Sequence, residues 1–246
     1  MRKFDTYLSQ PQLKAKLFGI PLIIVGVAFL FINDDTFLKL GFSFILIGLY
    51  MIVMITERTV PALISNAQIK GHTDAVRQIT QQLNLKGHAL FLPKNGALTE
   101  ERVFIPLKDS KLSLPQIDNE IVFATGNSGT SLGISLPPSG LSLLREVEKE
   151  TLFTDTDMEH IEEKLQTFVG MDILKSVSLK QKDALWNLTI EKPSYCIHDE
   201  SLCGQYPCPS CSAVLTAISK GTNQKIHLEN TVHNGKKTTF SFTTMR

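Results

Sequence analysis

All four cysteines of the 246-residue chain fall in one short segment, YCIHDESLCGQYPCPSC. Their spacing is C-x6-C-x4-C-x2-C, and the other parts of the chain contain none. Thiolates bind soft metal ions and exchange with disulfides, so this segment is the strongest chemical signal in the sequence. The candidate site residues are Cys196, Cys203, Cys208 and Cys211, with His198 as a further candidate ligand.

A zinc site is the first interpretation of the cysteine segment. Four thiolates hold Zn²⁺ tetrahedrally, and the C-x2-C pair of Cys208 and Cys211 is a common half of such a site. His198 could replace Cys196 as the fourth ligand. Structural zinc sites normally use two close pairs, however, and Cys196 and Cys203 are too far apart in sequence to form the second.

Two other interpretations stay open. The C-x4-C-x2-C spacing from Cys203 to Cys211 matches plant-type [2Fe–2S] ferredoxins, but the fourth ligand of those proteins lies downstream. Here Cys196 would have to serve from upstream. Alternatively, the cysteines are packing residues or reversible thiols, because a reducing cytosol disfavours stable disulfides. The cofactor is therefore left as zinc, an iron–sulfur cluster or none.

Two apolar runs near the N-terminus predict a transmembrane hairpin. Leu17–Ile32 and Leu40–Ile55 are 16 residues each and carry no charge. A helix of that length covers about 24 Å, against a hydrocarbon core of about 30 Å. Lys16 and Lys39 can snorkel and extend the usable span. The alternative, two core helices of a soluble protein, fits less well because both runs are apolar on all sides.

Glycines in the two runs recur every seven residues. Gly19 and Gly26 share one face of the first predicted helix, and Gly41 and Gly48 share one face of the second. Small residues on facing stripes let helix backbones approach closely in lipid. The alternative is that glycine is simply common in membrane helices.

Flanking charges predict the orientation of the hairpin. Cations concentrate before the first run and after the second, whereas the link between them carries only Lys39 beside Asp34 and Asp35. By the positive-inside rule both termini are expected in the cytoplasm. The segments outside the link carry Arg2, Lys3, Lys14, Lys16, Arg58, Lys70 and Arg77.

The rest of the chain predicts a cytoplasmic mixed α+β domain. We expect residues 1–59 to form the hairpin and residues 60–246 the domain, with two possible lobes, 60–150 and 151–246. Alternating apolar segments predict antiparallel strands, among them 176–179 and 184–190 around a turn at 180–183, and 225–229 and 238–242 around Asn234-Gly235, which indicates a hairpin. Amphipathic helices are expected at 61–83, at 139–150 with Ser139 as its cap, and at 157–168, and a short apolar helix is expected after Cys211 with Gly221 just beyond its end.

The C-terminal part resembles the 4-vinyl reductase domain. A cysteine-rich segment, a small-residue helix, a glycine and a terminal hairpin follow one another, and Gly204, Cys208, Gly221 and Glu229 stand at comparable places. The resemblance covers residues 174–242 and implies a small-ligand-binding α+β domain, often found in sensors. With its hairpin, the chain is also similar to uncharacterised archaeal membrane proteins, which implies no known activity.

Composition narrows the function classes. Twenty-five Lys and Arg against 24 Asp and Glu leave a formal net charge of +1, so we expect no nucleic-acid partner. The sequence contains no complete catalytic motif, which favours a membrane-tethered, non-enzymatic module that binds or senses a small molecule. The alternatives are a redox or metal-binding protein that uses Cys203, Cys208 and Cys211, and a membrane scaffold for protein partners. The lipid bilayer is the expected partner in each case.

Overall fold

The structure is a computed structural model, and it describes residues 11–32, 34–54, 62–96, 98–108, 123–124, 132–182, 185–193, 196 and 200–245. It divides into two compact units, Met1–Ala62 and Leu63–Arg246. Each unit has its own set of internal contacts. The unit boundary lies at the start of the long polar helix predicted after the second apolar run.

The first unit is a pair of helices, α1 (Pro11–Leu30) and α2 (Asp35–Met54). The four glycines lie buried where the helices touch, with Gly19 opposite Gly48 and Gly26 opposite Gly41. A Cβ on Gly26 would come within 2.8 Å of the Gly41 carbonyl oxygen. The pairing makes the helices antiparallel, because the residue numbers of the partners rise on one helix as they fall on the other.

Only part of this unit has the length and apolarity of a membrane span. Among the described residues, one stretch of 18 residues, Asp35–Ile52, is long and apolar enough to cross a bilayer. The apolar stretch of α1, Gly19–Leu30, is shorter than 18 residues and does not meet this length. The expected second span, and with it the two-span topology, remains a prediction.

The second unit contains an antiparallel sheet of eight strands in the order β3-β4-β2-β1-β7-β8-β6-β5. This confirms the predicted mixed α+β class. Strands from before and after residue 150 belong to the same sheet, which is joined where Leu90 of β1 pairs with His227 of β7. The strands are β1 (Leu90–Leu92), β2 (Arg102–Pro106), β3 (Phe123–Ala124), β4 (Gly133–Leu136), β5 (Ser176–Lys182), β6 (Leu185–Glu191), β7 (Lys225–Asn234) and β8 (Lys237–Met245).

Five helices accompany the sheet in the described ranges. Helix α7 is the central one: it contacts β1 and β7, and α4 and α5 pack beside it. Its apolar side chains and most of those of the sheet form one core, whereas Leu90, Leu92, Leu98 and Phe104 form a second, smaller cluster. The helices are α3 (Ala62–Gln82), α4 (Leu141–Val147), α5 (Met158–Gly170), α6 (Glu200–Cys203) and α7 (Pro209–Thr222).

Local predictions differ from the structure at several element ends. The terminal hairpin turns at Gly235, whose φ of 59° suits glycine, but its strands are longer than the predicted 225–229 and 238–242. Ser139 does not cap α4; Gly140 precedes the helix, and the Ser139 hydroxyl instead donates to the Pro207 carbonyl at 2.6 Å. Tertiary contacts have replaced the local cap.

Candidate functional site

Helix α7 has a group of reactive side chains at each of its two ends. It begins at Pro209, directly after Cys208, and ends at Thr222, with Asn223 in the left-handed conformation as its C-cap. Its 14 residues extend over about 21 Å. Eleven of them are buried, so the helix runs through the core and presents one end to each of two sites.

Three cysteines meet at the N-terminal end of α7. Cys208 is the N-cap residue, Cys211 is fully buried in the first turn, and Cys196 comes from the segment after β6. Their three thiols hydrogen-bond with one another. We call Cys196, Cys208 and Cys211 the thiol cluster.

Two thiols of the cluster, Cys208 and Cys211, are protonated at neutral pH. The hydrogen bond from Cys196, together with burial, raises the pKa of Cys208 to about 12. Hydrogen bonds with Cys196 and Cys208, together with burial, raise the pKa of Cys211 well above its usual value. A helix N-terminus normally favours the thiolate, but here the neighbouring thiols and the loss of water outweigh it.

The structure describes one of the two other predicted ligands. Cys203 is buried at the end of α6, and His198 lies outside the described residues. Within the described ranges, no three or more His, Cys, Asp and Glu side chains form a group that would hold a metal ion.

Tight packing holds this end of α7 in place. A Cβ on Gly140 would overlap the Pro209 carbonyl oxygen and the Ala213 nitrogen, so α4 starts directly against the first turn of α7. The Tyr206 hydroxyl donates to the Pro137 carbonyl at 2.9 Å, and burial raises the pKa of Tyr206 to about 12. The segment leading into the thiol cluster is thus fixed by α4 and its preceding loop.

A cavity of about 530 Å³ lies at the opposite, C-terminal end of α7. Its walls come from the β1–β2 connection, the α4–α5 connection and the end of α7. The lining residues are Pro93, Lys94, Asn95, Gly96, Leu98, Thr99, Glu101, Thr154, Asp155, Lys220 and Asn223. The volume is typical of small-molecule sites.

A partly buried group of three charged side chains stands at the wall of this cavity. Lys220 Nζ lies 2.7 Å from Glu148 Oε1, 2.8 Å from Glu148 Oε2 and 3.4 Å from Glu101 Oε1. Burial opposes the charge on Lys220, but the ion pairs with Glu148 and Glu101 outweigh it, so the pKa of Lys220 is raised. We call Lys220, Glu101 and Glu148 the charged trio.

Hydrogen bonds with α5 and α7 hold the α4–α5 connection, which forms one wall of the cavity. Lys164 Nζ donates to the Leu152 carbonyl at 3.0 Å and to Thr156 Oγ1 at 2.7 Å. The Thr156 amide donates to the Gly221 carbonyl at 2.7 Å, which also ties the wall to α7. Gly221 had been expected just beyond the helix; it lies inside the last turn, where a Cβ would come 2.6 Å from Ile161 Cδ1.

No motif in the sequence points to the charged trio. Glu101 precedes β2, Glu148 follows α4 and Lys220 lies in the last turn of α7, so no spacing connects them. The local charge pattern would class each of them as a solvated residue. One weak signal exists: Lys220 interrupts an otherwise small and apolar helix near its C-terminus, where a cation is favoured.

The fold and the two sites define a class: an antiparallel α+β domain preceded by an apolar helix pair. Within that class, the chain belongs to the family described as domain of unknown function DUF7982, whose model matches residues 9–238. The match includes most of both units. No curated protein and no solved structure matches the chain.

Proposed function

We propose that this chain is a membrane-anchored, non-enzymatic module whose globular unit binds a small molecule and so serves as a sensor. The observation that carries the proposal is the cavity of about 530 Å³ with the charged trio at its wall. Concave sites with a few fixed polar groups are the usual form of ligand sites. The resemblance to the 4-vinyl reductase domain supports the same function, since α7 and the β7–β8 hairpin follow in the order that it implies.

The helix pair supports the membrane anchor. Large apolar side chains are exposed around α1 and α2, among them Ile24, Phe31, Phe42, Leu46 and Tyr50. Twenty residues of helix extend over about 30 Å, the thickness of the hydrocarbon core. Lipid is the solvent that matches such a surface, because water around it would cost free energy with every exposed side chain. We propose two spans with both termini in the cytoplasm.

Labelling in intact cells tests the topology. A cysteine placed at Asp34, in the link, should react with a membrane-impermeant maleimide in intact cells. A cysteine at Thr99, in the globular unit, should react only after permeabilisation. Reaction at Thr99 with protection at Asp34 would reverse the proposed orientation.

Filling the cavity tests the binding function. The full chain in lipid nanodiscs is screened against a metabolite library by thermal shift. Gly96 lines the cavity and has open space around it, so Gly96→Trp should remove the stabilisation by any ligand bound there. Gly170 also faces open space but is not part of the cavity lining, which makes Gly170→Trp the matched control. A library without stabilising compounds, or equal shifts in the two variants, would contradict the proposal.

Thiol redox chemistry is the second candidate, favoured by the mutual contacts of the thiol cluster. Cys208 and Cys211 can close a disulfide: each thiol loses a proton and an electron, and a low-molecular-weight disulfide oxidant is reduced to two thiols. Because both pKa values are raised, this oxidation should be slow at neutral pH. Alkylation mass spectrometry after treatment with glutathione disulfide tests it, and metal analysis of the same sample tests the zinc and iron–sulfur alternatives.

A further inference from the structure

We infer that the cavity at the C-terminal end of α7 selects a small organic cation, a primary amine or a guanidine, through Glu101. The inference rests on the proposed function, because it names the ligand class of the same cavity. The inference depends on how closely each carboxylate of the charged trio is paired with Lys220.

Lys220 has no donor left for an anion. An ammonium group has three N–H donors, and Lys220 Nζ meets three carboxylate oxygens, two of Glu148 and one of Glu101. An anionic ligand would have to break one of these pairs and would place a third negative group beside two carboxylates. The lysine therefore balances the wall of the cavity and does not recruit an anion.

Glu101, by contrast, is only loosely paired. Its side chain is only 6% exposed, and within the described part of the chain its Oε1 meets one donor, Lys220 Nζ, at 3.4 Å, a longer contact than the 2.7 and 2.8 Å contacts of Lys220 with Glu148. Buried carboxylates in proteins normally accept several hydrogen bonds, so a lining residue in this state calls for an N–H donor from a ligand.

The wider electrostatics have the same sign. One lysine and two glutamates give the charged trio a net charge of −1, and the exposed lining residues Lys94 and Asp155 cancel one another. The C-terminal end of α7 adds the negative pole of the helix dipole. Pro93 and Leu98 are buried apolar residues of the lining, which suits a ligand with a short hydrocarbon body next to its charged group.

Four probes with a short unbranched hydrocarbon body test the ligand class: butylamine, butylguanidine, butanol and butyrate. Binding to the full chain in nanodiscs is measured by saturation-transfer NMR with competition. We expect the amine or the guanidine to bind at least tenfold more tightly than butanol, and butyrate to bind most weakly. Glu101→Gln should reduce the preference for the cation at least tenfold. Glu100→Gln, the same change at an exposed neighbour paired with Arg145, should leave it unchanged.

The results distinguish a cavity that prefers cations from a cavity that binds ligands of another class. Tighter binding of butyrate, or equal binding of cation and alcohol, would overturn the cation inference and leave a ligand-binding cavity. Equal effects of Glu101→Gln and Glu100→Gln would also overturn it. If Glu101→Gln does not fold, Asp155→Asn replaces it, with a threefold or larger loss of amine binding expected and no loss counting against the inference. Saturable binding by none of the probes would overturn the inference, while library compounds in the Gly96→Trp screen would still test the proposed function.

Discussion

The two ends of helix α7 carry opposite kinds of chemistry. At the N-terminal end, Cys208 and Cys211 are neutral, and α4 packs so tightly on the helix that there is no space for a Cβ on Gly140. At the C-terminal end, the charged trio stands beside an open cavity. The same buried helix thus ends once in a tightly packed site and once in an open one.

The contrast follows from what burial costs each group. A thiol loses little when it leaves water, since it stays protonated and acts as a small apolar group. A lysine or glutamate cannot be buried alone and must bring its counter-charges with it. The tightly packed end therefore carries neutral thiols, whereas the open end carries charges that are paired with one another.

Breaking the charged trio should have the largest effect. Lys220→Met leaves Glu101 and Glu148 without their cation, and we expect a loss of about 3 kcal/mol in the free energy of unfolding. Urea titration in mild detergent, followed by the fluorescence of Trp186, the only tryptophan, measures it. Lys149→Met removes an exposed pair with Glu146 and should cost under about 1 kcal/mol. Equal losses would mean that the trio is solvated.

The second-largest loss of stability is expected from crowding the tightly packed end of α7 at Gly140. Gly140→Ala forces backbone atoms of α4 and α7 apart and should cost about 2 kcal/mol in the free energy of unfolding. Gly71→Ala is the matched control: Gly71 has open space in the exposed part of α3, so the change should be neutral or stabilising by up to about 1 kcal/mol. The same urea titration compares them, and an unchanged stability of Gly140→Ala would show that the contact between α4 and α7 can relax.

Alkaline pH should distinguish the two ends. A thiol whose pKa rises from 9.0 to about 12 on folding stabilises the fold fully below pH 9, and this contribution is lost as the pH rises towards 12. Above pH 9, the loss should approach about 1.4 kcal/mol per pH unit for such a thiol. The raised pKa of Lys220 has the same sign, but its loss begins only above its usual value of 10.5.

The variant Cys196→Ala isolates the thiol contribution. It removes the hydrogen bond that does most to raise the pKa of Cys208, so the stability lost between pH 9 and pH 10 should shrink. Unfolding measured at pH 8, 9 and 10 gives the slope for each protein. An unchanged slope would assign the alkaline loss to other groups.

The smallest effect is expected at the C-cap of α7. Asn223 has a φ of 51°, so Asn223→Ala should cost about 1 kcal/mol, whereas Asn223→Gly should change stability by less than about 0.5 kcal/mol. Thermal unfolding of the full chain in detergent compares the two. A larger loss for glycine would show that the Asn223 side chain, which lines the cavity, holds the wall in place.

Local patterns predicted much of the fold. The alternation in β6 and β8, the Asn234-Gly235 turn and the small-residue helix predicted after Cys211 all depend on neighbours in the chain, and the structure contains them, with the helix starting earlier, at Pro209. Element ends were less predictable: β5 continues to Lys182, through part of the predicted turn, because it pairs with β6 along its whole length. Ladder hydrogen bonds with another strand decided that end.

The sequence by itself determined that the cysteines are concentrated in one segment, that two apolar helices precede a mixed α+β unit, and that small residues line their contact. These features are local or periodic, so composition and spacing are enough to predict them. Only the tertiary structure decided that Cys196, Cys208 and Cys211 meet at one end of α7, and that Glu101, Glu148 and Lys220 meet at a cavity at the other. Glu148 follows Glu101 by 47 positions and Lys220 follows Glu148 by 72, and the packing of α7 on the sheet and on α4 brings the three together, which no spacing in the chain records.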